Sequence, residues 1–366
     1  MAPTTAHSRL ARVQTALVAS GAQWLVVPAS ADFFWLTGAH ARMTERLVAL
    51  ALPASGEPFV VAPRLEAAPL AAAMPGMDML IWDEQDDPLA LLCARAALTP
   101  ATSLLLGENL RVAQVLRLTA MAHCVPAAHV LTAQRAVKDE GELEILAEAA
   151  RHADQVVMEA ARHARPGMSE RELERFIFQR FEALGDTEPW SIVASGPNSA
   201  RAHHHSGDRL IAADEVLLLD LGATTRGYRC DITRTFFLGE PPRQVLRVYE
   251  VVNAARTAGI LAAKTGATAE SVDAAARAII ESAGLGEHFT HRTGHGLGLE
   301  IHEEPYLVGG NTQTLEAGMV HSVEPGVYLP GRFGVRLEDI VVVAEGGARR
   351  LNQAPLDLRI PEGSQR

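Results

Sequence analysis

The sequence predicts two domains, a smaller α/β domain over residues 1–131 and a larger α+β domain over residues 132–366. Three observations predict this organisation. Helical and strand patterns alternate through the first part of the chain, residues 131–144 then become charged and helical, and the second part repeats a helix–helix–strand pattern. A chain of 366 residues is long enough for two hydrophobic cores.

The first domain is predicted from its alternating patterns. Helical patterns occur in HSRLARVQTALVASG, which ends at Gly21, and in PLALLCARAAL. Strand patterns occur at five places, with Gly56 at the turn between the second and the third: QWLVVPA, ERLVALALPA, EPFVVAP, MDMLIWD and TSLLLGE. This alternation is typical of an α/β domain with a mostly buried sheet.

The second domain contains a repeat of two segments, 165–185 and 264–284. Each segment has a glycine followed two residues later by a hydroxyl residue suited to cap a helix, and each closes with a glycine: Gly167, Ser169 and Gly185, then Gly266, Thr268 and Gly284. A helical stretch precedes each segment and strand-rich sequence follows it. The repeat predicts a pseudo-symmetric domain with its helices on one side of a curved sheet; chance similarity of helix ends is the alternative.

Composition excludes several classes of protein. A net charge of −11 argues against a nucleic-acid or anionic-membrane surface, since either would need a basic patch. The longest apolar runs are far shorter than a membrane span, and the apolar stretch near the N-terminus is too short for a signal peptide. The three cysteines are too few and too scattered for a disulfide framework, which favours a reducing cytoplasm.

Two aspartates are predicted to lie close together in a β-hairpin over residues 215–239, EVLLLDLGATTRGYRCDITRTFFLG. A turn centred between Thr225 and Arg226 would place Asp220 opposite Asp231, with Cβ atoms about 5 Å apart. Two carboxylates opposed within apolar strands repel each other unless a positive charge lies between them. A divalent cation is the simplest such charge; two solvated aspartates at the hairpin end are the alternative.

A second hairpin is predicted over residues 319–343, MVHSVEPGVYLPGRFGVRLEDIVVV. A turn centred on Gly331 would oppose Glu324 and Glu338. The neighbouring Asp339 would point to the other face, where we interpret it as a solvated or capping residue. Four carboxylates and one imidazole are enough for two hard or borderline cations with shared, bridging ligands.

The imidazole is predicted to come from HRTGHGLGLEIHEEP, residues 291–305, which lacks the HExxH spacing of a zinc helix. His295 lies between Gly294 and Gly296, which permit a close backbone approach, and this setting suits a metal ligand. His291 and His302 lack that setting. They could lie in the same cleft, and either could be a proton donor rather than a ligand.

A further cluster, AHHHSGDRL at residues 202–210, places three histidines in succession. On an extended segment, His204 would point away from His203 and His205. The pattern alone does not choose among the three.

These segments resemble metallopeptidase family M24, the pita-bread family of aminopeptidase P, prolidase and methionine aminopeptidase, with the metal-free creatinases as relatives. SADFFWLTG resembles the creatinase-type N-terminal domain, and RAVKDEGELEILAEAA resembles the family's interdomain junction. DLG…CDITRTF, HRTGHGLGLEIHEEP and VEPGVY…GVRLED occur in family order and at family spacing. The resemblance implies a pita-bread catalytic domain over residues 132–366, preceded by a creatinase-like N-terminal α/β domain over residues 1–131.

The resemblance also implies the roles of individual residues. Five residues would hold two metal ions: Asp220, Asp231, His295, Glu324 and Glu338. Among them, Asp231 and Glu338 would bridge the two ions. Three residues would act in catalysis, namely His203, His302 and Glu324, and three would line the site or hold the ligands, namely His291, Tyr328 and Arg336. All five ligand types are present, which speaks against the metal-free creatinase branch.

Two positions depart from the family pattern. Ala202 stands where relatives often have proline, so the choice between His203 and His204 stays open. His321 occupies a position that is more often apolar, and we interpret it as a packed or hydrogen-bonded core histidine.

The activity implied is hydrolysis of Xaa-Pro peptide bonds, with a hydroxide shared by two metal ions as the nucleophile. A compact chain with one N-terminal domain favours an Xaa-Pro dipeptidase (prolidase). The alternatives are an Xaa-Pro aminopeptidase that acts on longer peptides, an amidase for a small molecule, and a silent binding module. An oxygen-rich site with one imidazole suits Mn²⁺, while Co²⁺, Zn²⁺ and Fe²⁺ are compatible with it. The resemblance also implies a homodimer, with a di- or oligopeptide containing proline as substrate.

Overall fold

The computed structural model describes residues 3–360, and the chain forms two compact units that divide between Gln134 and Arg135. The first unit contains six helices: α1 Pro3–Ser20, α2 Ala31–Thr37, α3 Arg64–Ala73, α4 Pro88–Arg95, α5 Val112–Thr119 and α6 Ala128–Ala136. Its strands are β1 Trp24–Pro28, β2 Ala49–Pro53, β3 Phe59–Pro63, β4 Asp78–Trp82, β5 Ser103–Leu106 and β6 His123–Pro126. Helix α6 ends just beyond the division, so the last of its residues belong to the second unit.

The six strands of the first unit form one mixed sheet in the order β4-β3-β2-β1-β5-β6. Antiparallel pairs join β1, β2 and β3 at the centre, and parallel pairs add β4, β5 and β6. The central strands are apolar and buried because helices cover the sheet. Every strand that the sequence patterns predicted is present, which confirms the α/β fold of this unit.

The described part of the second unit, up to residue 360, contains four α-helices and eleven strands. The helices are α7 Glu140–His163, α8 Glu170–Ala183, α9 Arg243–Ala262 and α10 Ala269–Ser282, with short 3₁₀ helices at Gly196–Ala200 and Gly286–His288. The first strands are β7 Thr187–Ser195, β8 Glu215–Thr225, β9 Tyr228–Arg229 and β10 Ile232–Leu238. The later strands are β11 Gly294–Gly296, β12 Glu303–Leu307, β13 Val320–Val323, β14 Gly326–Leu329, β15 Phe333–Arg336, β16 Asp339–Val342 and β17 Arg349–Arg350.

Helices and strands of the second unit form two similar halves. In the first half, α7 and α8 pack on the antiparallel sheet β10-β8-β7 through an apolar core that includes Phe181 and Leu219. In the second half, α9 and α10 pack near the sheets β12-β11-β13-β16-β17 and β14-β15. Helices on one side of curved sheets confirm the predicted α+β architecture.

The predicted repeat has the same local structure in both halves. Ser169 caps α8 in a reciprocal capping box with Glu172, and Thr268 stands at the matching position before α10. The four glycines of the two segments adopt left-handed backbone angles, with φ between 75° and 88°: Gly167, Gly185, Gly266 and Gly284. The matched helix ends therefore reflect matched structure and not only similar composition.

The register predicted for the first hairpin is wrong, because the turn lies one residue further along the chain than expected. Asp220 pairs with Thr233, not with Asp231. The turn is formed by Arg226 and Gly227, whose φ angles of 51° and 92° are those of a type I′ hairpin turn. This turn type needs positive φ at both central residues, which a glycine at the second position favours. The shift leaves Asp231 diagonal to Asp220 instead of directly opposite.

The register predicted for the second hairpin is confirmed. Tyr328 pairs with Gly334 in the β14–β15 ladder, and Gly331 at the turn has a φ of 71°. The same register continues in the β13–β16 ladder, where Val323 pairs with Asp339. Glu324 and Glu338 therefore lie opposite each other between the two ladders.

No helix of residues 3–360 is long and apolar enough to cross a membrane.

Candidate metal centre

The five predicted ligands converge from five places in the second unit. Ligand atoms of Asp231, His295 and Glu338 all lie within 4.8 Å of one another. Nε2 of His295 is 3.2 Å from Oε1 of Glu324 and 3.9 Å from Oδ2 of Asp231. The charge of Asp220 acts on both Asp231 and Glu338. The structure thus brings together all five residues, although roughly a hundred positions separate the first from the last.

Three of these carboxylates each present one buried oxygen that has no hydrogen-bond partner among the described residues: Oδ1 of Asp220, Oδ1 of Asp231 and Oε1 of Glu338. A buried unpaired carboxylate oxygen is costly unless a proton or a cation meets it. Three such oxygens in one cluster, beside one imidazole nitrogen, form the donor set that divalent cations take. The residues present therefore fit a metal centre.

The electrostatics of the cluster also favour a bound cation. Burial, then the charges of Glu338, Asp220 and Glu324, raises the pKa of Asp231 well above 3.8. Burial, then the charges of Glu324 and Asp220, raises the pKa of Glu338 well above 4.5. Without a cation the two carboxylates favour protons, because burial and the neighbouring negative charges both disfavour their charged forms. Divalent ions would supply the missing positive charge.

The imidazole of His295 is held in the tautomer that a metal ligand needs. Its Nδ1 lies 3.0 Å from the carbonyl oxygen of Gly296, which can only accept, so Nδ1 carries the proton. Nε2, the nitrogen that a metal ion would take, then lies towards Glu324 and Asp231. Burial alone would raise the pKa of Glu324, but the hydrogen bond and charge of His295, with the charges of His291 and Arg336, lower it to about 2.

Gly294 and Gly296 bring the backbone around His295 close to its neighbours, as the sequence predicted. A Cβ at Gly294 would lie 2.1 Å from the carbonyl oxygen of Ser322, and one at Gly296 would lie 2.2 Å from that of Glu304. No side chain fits at either position without moving the backbone. The glycines therefore let His295 approach the ligand strands.

Arg336, Tyr328 and His291 form a directed chain of hydrogen bonds behind Asp220. Arg336 donates to Oδ2 of Asp220 at 2.6 Å and to the hydroxyl of Tyr328 at 2.7 Å. Nδ1 of His291 donates to the carbonyl of Arg292 at 2.8 Å, which leaves Nε2 to accept from Tyr328, also at 2.8 Å. Burial lowers the pKa of His291, which favours this neutral form. Because Arg336 can only donate, the donor and the acceptor of each hydrogen bond in the chain are fixed.

Thr233 connects this chain to Glu338 and was not predicted from the sequence. Its hydroxyl donates to Oε2 of Glu338 at 2.8 Å and accepts from Nε of Arg336 at 3.1 Å. Thr233 follows Asp231 by two residues, and the alternation of side chains along a strand could have placed both on one face. Such supporting contacts orient metal ligands and tune their basicity.

His302 lies at the edge of the cluster, with its ring 4.3 Å from that of His295 in an edge-to-face arrangement. Partial burial, then the charges of His295 and Arg292, lowers its pKa to about 4. His302 is therefore neutral near pH 7 and can donate one hydrogen bond.

His203 and His204 face different surroundings. Nε2 of His204 lies 2.8 Å from Oε2 of the buried Glu170, while the charge of His203 acts on His291 and His302. The segment is not extended as assumed, because the amide of His204 donates to the carbonyl of Arg201 and closes a turn. Of these two histidines, His203 thus lies towards the cluster.

Two expectations about neighbouring residues have different outcomes. Asp339 is not solvated; it is fully buried and paired with Arg234, Arg256 and Arg350. Arg234 and Arg256 come from distant elements, so the sequence pattern gave no sign of them, and Arg350 lies on the neighbouring strand β17. His321 is a buried core histidine, as interpreted, with Nδ1 donating to the carbonyl of Ser322 at 2.9 Å.

Two further charged residues near the cluster were not predicted. Glu303, next to His302, is buried and paired with Lys138 at 2.8 Å and Arg135 at 2.5 Å, which explains the basic residues before α7.

Arg292 stacks its guanidinium on the ring of Tyr306 at 4.4 Å and has no carboxylate partner in the described part of the chain. Arg292 lies within HRTGHG, three residues before His295, and this position in the motif could have identified it as a candidate site residue.

Known proteins share this arrangement of domains. The model of metallopeptidase family M24 matches residues 144–345, and that of the creatinase/prolidase N-terminal domain matches residues 9–137. A probable dipeptidase PepE of Mycobacterium tuberculosis is 40% identical over 357 residues, covering 96% of this chain and 95% of its own.

Solved structures agree with the sequence comparison. The dipeptidase PepE of Mycobacterium ulcerans superposes with a TM-score of 0.93 at 38% identity, covering 99% of each chain. A prolidase of Thermococcus sibiricus superposes with a TM-score of 0.90 at 35% identity, covering 96% of this chain and 98% of its own. Since the family model matches more than half of the chain and the cluster fits divalent cations, the chain belongs to metallopeptidase family M24.

Proposed function

We propose that this protein is an Xaa-Pro dipeptidase that holds two divalent metal ions between Asp220, Asp231, His295, Glu324 and Glu338. The observation that carries the proposal is the buried cluster of carboxylates, in which three oxygens have no hydrogen-bond partner among residues 3–360 and lie beside one imidazole nitrogen. Relatives named dipeptidase and prolidase cover nearly the whole chain and support the same reaction. Asp231 and Glu338, the most buried acids of the cluster, are the ligands we assign to both ions.

When bound, the two ions would supply a water of lowered pKa and polarise the carbonyl of the scissile bond. The protein's own groups handle the protons. Glu324 is an anion near neutral pH, and its Oε1 also accepts from the hydroxyl of Ser322 at 3.2 Å. It can take the proton of the attacking water and carry it to the leaving nitrogen. This delivery matters because expulsion of an unprotonated amide nitrogen is very unfavourable.

His302 and His203 would act on the substrate rather than on the ions. A neutral His302 can donate a hydrogen bond to the oxygen that gains charge as the carbonyl is attacked. His203, whose charge acts on His302 and His291, would orient the substrate. Arg336, Tyr328 and His291 hold Asp220 from behind and keep its ligand oxygen directed at the centre.

Arg292 favours a dipeptide over a longer substrate. Its guanidinium lies close enough to influence His302, and it has no anionic partner among residues 3–360. A dipeptide places its free carboxylate one residue beyond the scissile bond, where a cation beside the catalytic groups would meet it. A longer peptide has a neutral amide at that point. We therefore assign Arg292 to the carboxylate of the substrate.

Assays of the metal-loaded protein with an Xaa-Pro dipeptide, its amide, an Xaa-Pro-Yaa tripeptide and a non-proline dipeptide test this function. We expect kcat/KM for the dipeptide to exceed that for the amide and the tripeptide by about 10–100-fold, the effect of one charge-assisted hydrogen bond. Preference for the tripeptide would identify an aminopeptidase instead. No turnover of any of these substrates with metal bound would contradict the peptidase assignment and favour the amidase alternative.

Arg292→Gln provides the matching variant. It should reduce the preference for the dipeptide over its amide to within about threefold, mainly by raising KM for the dipeptide. Arg226→Gln, at the turn of the first hairpin and away from the cluster, is the control and should keep the preference. An unchanged preference in Arg292→Gln would remove Arg292 from the substrate site without affecting the metal assignment.

Tyr328→Phe is expected to lower kcat by about 10–100-fold while the protein stays folded. The substitution removes one hydroxyl, so Nε2 of His291 loses its donor and Arg336 loses one of its acceptors. Tyr249→Phe is a matched control, because the Tyr249 hydroxyl is also buried but donates to the carbonyl of Leu356 outside the cluster. Steady-state kinetics should separate the two variants; equal loss of activity in both would show that the effect is structural.

The metal, the assembly and the compartment complete the proposal. Mn²⁺ is the ion we favour because oxygen ligands outnumber nitrogen, with Co²⁺, Zn²⁺ and Fe²⁺ as alternatives. We propose a homodimer in the cytoplasm, and the three free cysteines are consistent with a reducing compartment. Metal analysis of the purified protein and its mass in solution test the first two points.

A further inference from the structure

The loop over residues 196–209 follows β7 in the connection to β8 and carries the three successive histidines. Glu170, the first residue of α8, is fully buried and accepts five hydrogen bonds from this loop and the strand end before it. The donors are the amide of Ser195 at 2.9 Å, its hydroxyl at 2.8 Å, Nδ2 of Asn198 at 3.0 Å, Nε2 of His204 at 2.8 Å and the amide of Gly207 at 3.3 Å. A single carboxylate thus binds both ends of the loop.

The loop is also fixed on the side of the metal centre. Arg336, which bonds to Asp220, donates from Nη1 to the carbonyl of Ala202 at 3.2 Å. The amide of Gly334 donates to the hydroxyl of Ser199 at 2.9 Å. His203 therefore lies directly between a residue held by Arg336 and a residue held by Glu170.

Glu170 is suited to act as a fixed anion. Burial alone would raise its pKa, but the donors Asn198, His204 and Ser195 lower it below the usual value. The charge has no direct role at the metal centre, because all the contacts of Glu170 within residues 3–360 go to the loop and its base. Any effect of Glu170 on the metal centre must therefore act through the residues of the loop.

We propose that Glu170, acting through the side chain of His204, is a positioning residue that directs His203 at the substrate. The proposal rests on the role assigned to His203 under the proposed function. Holding the neighbouring imidazole at a buried carboxylate removes the alternative in which His204 turns to the centre and His203 to solvent. It also restricts the backbone on both sides of His203, so that the ring does not have to be ordered when substrate binds.

His204→Ala tests the proposal. The substitution should disturb the fold little, because it leaves Glu170 its four other donors. We expect kcat for the Xaa-Pro dipeptide to fall about tenfold with KM changed less than threefold, while both metal ions stay bound. His204→Gln should restore kcat to within threefold of the parent protein, because its side-chain amide nitrogen can donate to Glu170 from a similar position. Loss of metal from His204→Ala, or kcat within twofold of the parent, would overturn the proposal.

A double-mutant cycle with His203→Ala separates this inference from the function on which it rests. If His204 acts through His203, then adding His204→Ala to His203→Ala should lower kcat less than twofold further. A further tenfold loss in that background would overturn the positioning role. Full activity of His203→Ala alone would instead overturn the assignment of His203, and with it this inference.

Amide hydrogen exchange gives a readout that does not depend on activity. Peptides covering residues 196–209 should exchange faster in Glu170→Gln and in His204→Ala than in the parent protein, because an amide in place of the carboxylate cannot accept from all five donors. Glu172→Gln is the control: it lies on the same helix turn, is exposed and bonds to Ser169 rather than to the loop. Unchanged exchange in His204→Ala would contradict the proposal even if Glu170→Gln failed to fold.

Discussion

Asp231→Asn should lower kcat/KM for Xaa-Pro dipeptides by at least about a thousandfold, which corresponds to about 4 kcal/mol of transition-state stabilisation. The substitution keeps the size of the side chain but removes one anionic oxygen from the centre of the cluster. Because Asp231 is the ligand we assign to both ions, its loss would affect both. Metal analysis and steady-state kinetics should show that metal content and activity fall together.

The same substitution should have the opposite effect on the metal-free protein. Burial and three neighbouring carboxylates make the charge of Asp231 unfavourable, so removing that charge should raise the free energy of unfolding at pH 8 by about 1–3 kcal/mol. Asp186→Asn is the matched control. Asp186 is also buried, but Thr225 and His152 bind it, so its loss should destabilise the protein and spare activity. An Asp231→Asn protein with full activity, or one less stable than the parent without metal, would contradict the metal assignment.

Sequence patterns predicted which carboxylates lie close together because these residues lie on two short hairpins. The register of the second hairpin followed from one turn centred on Gly331, and it placed Glu324 opposite Glu338 correctly. In the first hairpin, Arg226 and Gly227 compete with neighbouring pairs for the turn. A type I′ turn needs positive φ at both central residues, and this requirement favours the pair that contains Gly227. The rule could have been applied to the sequence.

Contacts between distant segments could not be predicted in this way. Asp339 is surrounded by Arg234, Arg256 and Arg350, which lie on three separate elements. Glu170 has the sequence signature of an ordinary first-turn acid of a helix, yet it binds a loop more than twenty residues away. Each such contact depends on how elements pack, and no periodicity along the chain records that packing.

Stability of the metal-free protein should fall as pH rises, through the contribution of Asp231 and Glu338. Their pKa values in the folded protein lie well above the ordinary 3.8 and 4.5, so above about pH 4 the folded state binds more protons than the unfolded state. Their stabilising contribution is complete below pH 4 and is lost as pH rises through the raised values. His302 and His321, whose pKa values fall to about 4, oppose this trend between pH 4 and 6.5.

Glu338→Gln isolates the carboxylate contribution, because both histidines remain in the variant. Denaturant unfolding in the presence of chelator should show the variant gaining stability over the parent protein as pH rises from 5 to 8. Metal ions require the same carboxylates in their charged form, so Mn²⁺ binding to the parent should release protons and tighten with rising pH. Calorimetry in buffers of different ionisation enthalpy counts those protons. A stability difference independent of pH, with no proton released on binding, would mean that Asp231 and Glu338 are already charged without metal, and the repulsion inferred for this cluster would then be absent.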